Sequence, residues 1–97
     1  MENSIYLSTL YDYYGELLTD KQKNIFESYY FDNLSLQEIA DDEGVSRNAI
    51  HKTLQATEDK LNYYEDKLNL YKNRKKINKL LEKIDDDKLK ESINELI

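Results

Sequence analysis

The chain has 97 residues, enough for one small domain with a modest core. It has no cysteine, which excludes a disulfide framework and a thiolate metal site. Charged residues make up 35% and hydrophobic residues 39%, with a formal net charge of −6, a balance that weakens the case for tight, autonomous DNA binding. Nine tyrosines and two phenylalanines supply much of the large apolar material, which separates the chain from disordered sequences poor in aromatics.

Proline is absent and glycine occurs only at Gly15 and Gly44. An all-β protein of this size needs many more turn residues, so the expectation is an all-α fold joined by short polar links. A lone His51 builds no metal site, and no cofactor is expected. The N-terminus has no basic region, and Asp12 interrupts its apolar stretch, so no signal peptide is expected. No run is long enough for membrane insertion, and a cytoplasmic protein is expected.

Leu7, Leu10, Tyr14 and Leu17 recur every three or four residues and predict a first helix over 4–17, with Gly15 inside it. "LTDKQ" follows, in which Thr19 is placed to cap a second helix and Gln22 to close the capping box. That helix runs to about Phe31 and buries Ile25, Phe26 and Tyr29. In "DNLSLQE", Ser35 and Glu38 form a second box, and Leu34 staples onto Ile39 to start a short third helix over 36–43. Gly44 falls where a left-handed C-terminal cap is needed.

Ser46 then caps a fourth helix, with a Val45–Ile50 staple. From there Ile50, Leu54, Thr57, Leu61, Tyr64, Leu68 and Tyr71 alternate at spacings of four and three, a seam of near-heptad period that would span ~37 Å. Helices over 74–84 and 86–96 close the chain. The expected organisation is a helix-turn-helix domain over 1–71, including the long fourth helix, with a helical C-terminal extension over 72–97 of the same domain.

Two helices that cross at a tight turn need a small residue at their approach and a left-handed residue in the turn. Ala40 and Gly44 meet both needs, and Ile39, Val45 and Ile50 would fill the small core between them. Glu43 stands where such motifs commonly carry an apolar residue. Docking of the second helix in a major groove would present Arg47, Asn48, His51 and Lys52 to base edges. Ser35, Gln37 and Ser46 would meet phosphates. The plain alternative is that these polar residues are the solvated face of a long helix.

Residues 13–68, with "LLTDKQ", "YY", "SLQEIA" and "GVSRNAI" as their most specific parts, resemble the YlxM family of small bacterial proteins. The same core is similar to region 4 of sigma factors. The resemblance implies an all-α helix-turn-helix protein that binds DNA. It also implies a place in the signal recognition particle pathway, through the position of the family's gene beside those of the particle and its receptor.

Charge divides unevenly. Residues 1–44 hold ten acids and two bases, whereas 45–97 hold ten acids and twelve bases. Asp41, Asp42 and Glu43 sit at a helix C-terminus, where the macrodipole disfavours them. They are either tolerated in solvent or turned to a basic partner. The basic stretch "KNRKKINKLLEK", residues 72–83, carries six bases against one acid, and a solvated face is the commoner fate of such a run. No phosphate loop, metal cluster or nucleophile–base pair points to an enzyme.

The leading expectation is a DNA-binding regulatory protein. The alternative is an adaptor that uses the same helices to bind a protein or RNA component of the signal recognition particle. The three preceding helices look too short to cover Leu61, Tyr64, Leu68 and Tyr71, so that half of the seam must pack on the tail helices or on a second chain, and a homodimer is expected there.

Overall fold

A computed structural model describes residues 4–97. Among them are six α-helices and no strand: α1 Ser4–Tyr14, α2 Asp20–Tyr30, α3 Leu36–Glu43, α4 Arg47–Leu68, α5 Leu70–Leu81 and α6 Asp87–Asn94. The body is elongated, 55 × 24 × 23 Å. Its core joins Leu7, Leu10, Tyr14 and Leu18 to Ile25 and Phe26, then to Ile39 and Ala40, and finally to Ile50, Leu54 and Leu61.

The local start signals act as expected. Thr19 Oγ1 accepts from the Gln22 amide while Gln22 Oε1 accepts from the Thr19 amide, and Ser35 and Glu38 form the same reciprocal pair. Each box satisfies two amides that a helix start leaves without partners. Ser46 Oγ accepts from the Ala49 amide and starts α4. Gly44 is left-handed, φ +69°, and ends α3 where predicted.

The boundaries differ in several places, and α5 and α6 end at Leu81 and Asn94 rather than at 84 and 96. The first helix stops at Tyr14, and Gly15–Leu17 tighten into a 3₁₀ turn. A Cβ on Gly15 would lie 3.2 Å from the Tyr11 ring, so glycine here lets that ring close over the turn. Tyr11 then stacks on Phe26 at 4.6 Å and donates its hydroxyl to Glu27.

The long helix is also shorter than its seam. It ends at Leu68 after 22 residues because Asn69 turns left-handed, φ +55°. Asparagine tolerates that region better than most residues. Tyr71 therefore lies on α5, and that helix starts at Leu70 rather than 74.

A buried carboxylate holds this break. Glu65 accepts from the Tyr14 hydroxyl at 2.7 Å and from the Tyr71 and Lys72 amides at 3.1 Å each. The Tyr14 oxygen in turn accepts from the Leu70 amide at 3.1 Å. Three of α5's orphan amides are thus satisfied by side chains from α1 and α4. Burial first, and the bond to Glu65 next, push the Tyr14 hydroxyl up to about 12.

The expectation that the preceding helices cannot cover the C-terminal half of the seam is corrected here. The first helix packs against both α4 and α5. Leu61 is fully buried within one chain, so it offers nothing to a second copy. Tyr64 lies beside Tyr14, and Tyr71 packs edge-on against Tyr6 at 5.7 Å; both are half-buried. Leu68 alone of the four stays well exposed, at 49%. Thr57, the one hydroxyl-bearing aliphatic position of the seam, is buried with its hydroxyl donating to the Thr53 carbonyl.

Candidate nucleic-acid interface

The α3–α4 corner follows from three local choices. Ser35 starts α3, Gly44 stops it, and Ser46 restarts the chain as α4 two residues later. Ile39, Ala40, Ile50 and Leu54 face inward and pin the two helices together, with Ala40 fully buried at their approach. Val45 is 40% exposed, so it fills less of this core than the spacing predicted.

With Ile50 and Leu54 inward, 100° per residue puts Asn48, Lys52 and Gln55 on the outer face of α4 and His51 at its edge. Arg47 falls toward the inward side, and it is exposed at the first residue of the helix. All seven residues singled out for DNA, Ser35, Gln37, Ser46, Arg47, Asn48, His51 and Lys52, are exposed.

Their commitments differ. The Ser35 and Ser46 oxygens already accept cap bonds, which leaves each hydroxyl proton free to donate to a phosphate oxygen. The Gln37 amide nitrogen donates to Asp41 at 2.9 Å. Among the described residues, ion pairs link Lys23 to Glu16 and Lys67 to Asp66, and neither Arg47 nor Lys52 takes part in one. Bonds from Ser35 hold the Glu38 carboxyl below its ordinary value, so it stays ionised beside the start of α3.

The sequence reading missed what lies beside this face. Tyr29, Tyr30 and Leu36 meet His51, Leu54, Gln55 and Glu58 around an open groove of about 200 Å³. The Tyr30 hydroxyl donates to Glu58 at 2.7 Å; burial first, then that bond, raises its pKa. Gln55 was within reach of the helical repeat that picked out His51 and Lys52. Tyr29, Tyr30 and Glu58 come from two different helices, and no local spacing brings them together.

A family model described as "Putative helix-turn-helix protein, YlxM / p13 like" matches residues 1–97. The chain belongs to this UPF0122 family. The chain is 42% identical over 83 residues to a UPF0122 protein of Caldanaerobacter subterraneus subsp. tengcongensis, covering 86% of this chain and 71% of that one. A relative in Symbiobacterium thermophilum is 36% identical over 78 residues, 80% of this chain and 73% of that one. One in Streptococcus pyogenes serotype M5 is 45% identical over 64 residues, 66% of this chain and 57% of that one. The expected resemblance therefore holds over the whole chain. The family is one of helix-turn-helix proteins rather than of enzymes. No described helix is long and apolar enough to cross a membrane.

Proposed function

We propose that the protein is a DNA-binding regulatory protein of the cytoplasm, in which the first four helices act as a helix-turn-helix unit over 1–71 and the segment 72–97 as its extension. The observation that carries this reading is the state of the outer face of α4. Asn48, His51 and Lys52 are all exposed on one side of a helix whose other side is locked into the core. Arg47 and Asn48 carry the groups that pair with guanine and adenine in a major groove. Ser35, Gln37 and Ser46 flank them as phosphate contacts. A homodimer would supply two such helices for paired half-sites, with Leu68 as the most exposed part of its surface and Tyr64 and Tyr71 at the rim.

The test is selection of duplex DNA from a random pool, followed by titration of the selected site. Arg47→Ala should lose ~1–3 kcal/mol of discrimination at one base position. Lys52→Ala should weaken all sequences alike and flatten the salt dependence. Equal affinity of wild type and both variants for every selected DNA refutes the reading.

A second reading has its own support, the groove between Tyr29, Tyr30, His51 and Glu58. Its mixed aromatic and acidic lining suits a protein surface better than a phosphate backbone. Under that reading the protein is an adaptor for a protein or RNA component of the signal recognition particle, a pathway suggested by the family resemblance. Recovery of a protein on wild-type bait, lost with Tyr29→Ala and kept with Arg47→Ala, would favour it.

A further inference from the structure

The positive charge that a nucleic-acid binder needs is scarce on α4 and concentrated on α5. That helix, LYKNRKKINKLL, holds five bases and no acid. Arg74 is half-buried and turned to a cavity it shares with Tyr13, Ile77 and Leu96. The other four bases, Lys72, Lys75, Lys76 and Lys79, are exposed. At 100° per residue they fall within an arc of about 100°, opposite buried Leu81 and half-buried Ile77.

No carboxylate among the described residues lies within ion-pair distance of these four ammonium groups. Lys75 rests 5.3 Å from the Tyr71 ring centre, which steadies it without neutralising it. Lys72 repels Lys75 and Lys76, and Lys79 repels the same two, all at spacings of three or four. Such like-charge pairs disfavour a helix. Beyond the Lys75–Tyr71 contact and Lys79 in the last turn, the fold gains little from this face, whereas a polyanion laid along it would remove the repulsion.

We propose that the lysine face of α5 binds the sugar–phosphate backbone of a nucleic-acid duplex, at a site separate from the α3–α4 corner. The stripe from Lys72 to Lys79 is about 10 Å long, and a duplex presents roughly six phosphates over that axial length. Only about three of these lie on either strand, so the four lysines, spread over their arc, meet phosphates of both strands across a groove. The site is separate because the 22 residues of α4 set ~32 Å between Arg47 and the start of α5.

Two other anions fit less well. A basic helix lying on a membrane buries its apolar side in the lipid. Here part of that side is spent on the protein, since α5 packs against α1 and its Leu81 is buried, which leaves Leu70 and Leu80 as the exposed leucines rather than a continuous apolar face. The acidic α3 of a second copy offers Glu38, Asp41, Asp42 and Glu43, but Glu38 is engaged with the Ser35 amide and Asp41 with Gln37. All four stay charged, but Glu38 and Asp41 each commit one oxygen within α3, which leaves fewer free acceptors than a row of phosphates presents.

The experiment uses the full chain with a mixed-sequence duplex, made once as DNA and once as RNA, titrated from 50 to 200 mM salt. Four phosphate contacts predict a slope near −3.6, a loss of about 150-fold in affinity across that range. Lys72→Gln, Lys75→Gln, Lys76→Gln and Lys79→Gln combined should abolish most of that slope for whichever duplex binds. The four corresponding arginine substitutions should keep it. Lys21→Gln, at an exposed base on α2 that is given no part in binding, should leave it unchanged, which ties the slope to the α5 face rather than to total charge. Circular dichroism of the glutamine variant checks that the helices persist, as glutamine is a good helix former. The proposal is overturned if neither duplex binds at 50 mM salt or if the glutamine variant keeps the wild-type slope. It is equally overturned if the four lysines instead govern binding to anionic vesicles or self-association.

Discussion

Tyr14→Phe is the sharpest probe of how α5 is held. The substitution keeps the ring in its fully buried site and removes one oxygen. That oxygen donates to the Glu65 carboxylate at 2.7 Å and accepts from the Leu70 amide at 3.1 Å. A hydrogen bond to a charged group is worth ~1.5–3 kcal/mol and a neutral one ~0.5–1.5. The loss should thus come to roughly 2–4 kcal/mol. For a domain of this size that lowers Tm by about 10–20 °C. Urea unfolding followed by circular dichroism measures it, and the m-value should hold, since the exposed area is unchanged. Hydrogen exchange adds a local readout, because the amides of Leu70, Tyr71 and Lys72 should lose protection before the α3–α4 corner does. Tyr13→Phe, at the rim and 38% exposed, is the control and should cost under ~0.5 kcal/mol. A Tyr14→Phe loss no larger than the Tyr13→Phe loss would refute the clasp.

Gly44→Ala should cost ~1–2 kcal/mol by urea unfolding, all of it backbone strain at φ +69°, because an added Cβ meets nothing within 4 Å. Gly44→Asn should cost less. The neutral form of Tyr14 is favoured in the folded state, so its contribution is complete below the ordinary tyrosine pKa of 10 and is lost as pH rises toward about 12. Stability should fall over that window, and phenolate absorbance should show several late-titrating tyrosines, Tyr11 and Tyr30 among them, with one fewer in Tyr14→Phe. If the chain dimerises as proposed, Leu68→Asp should yield a folded monomer by sedimentation, whereas Leu61→Asp should unfold the chain by burying an unpaired charge. A wild-type chain that is already monomeric at high micromolar concentration ends the dimer proposal.

Local chemistry was the part legible in the sequence. Thr19, Ser35, Ser46 and Gly44 act on backbone groups within four residues, so their roles depend on nothing distant. The polar outer face of α4 was legible for the same reason, since helical periodicity alone separates it from Ile50 and Leu54. Tertiary packing decided the rest. Whether α4 runs on through Asn69 turns on Tyr14 and Glu65, 51 residues apart, which supply the hydrogen bonds that a helix break demands. Leu61 reads as part of a seam open to a partner until α1 is seen to pack on α4. The groove beside His51 needs Tyr29 and Tyr30 from α2 and Glu58 from the fourth turn of α4. Periodicity states which side of a helix is apolar; only the folded chain states what that side meets.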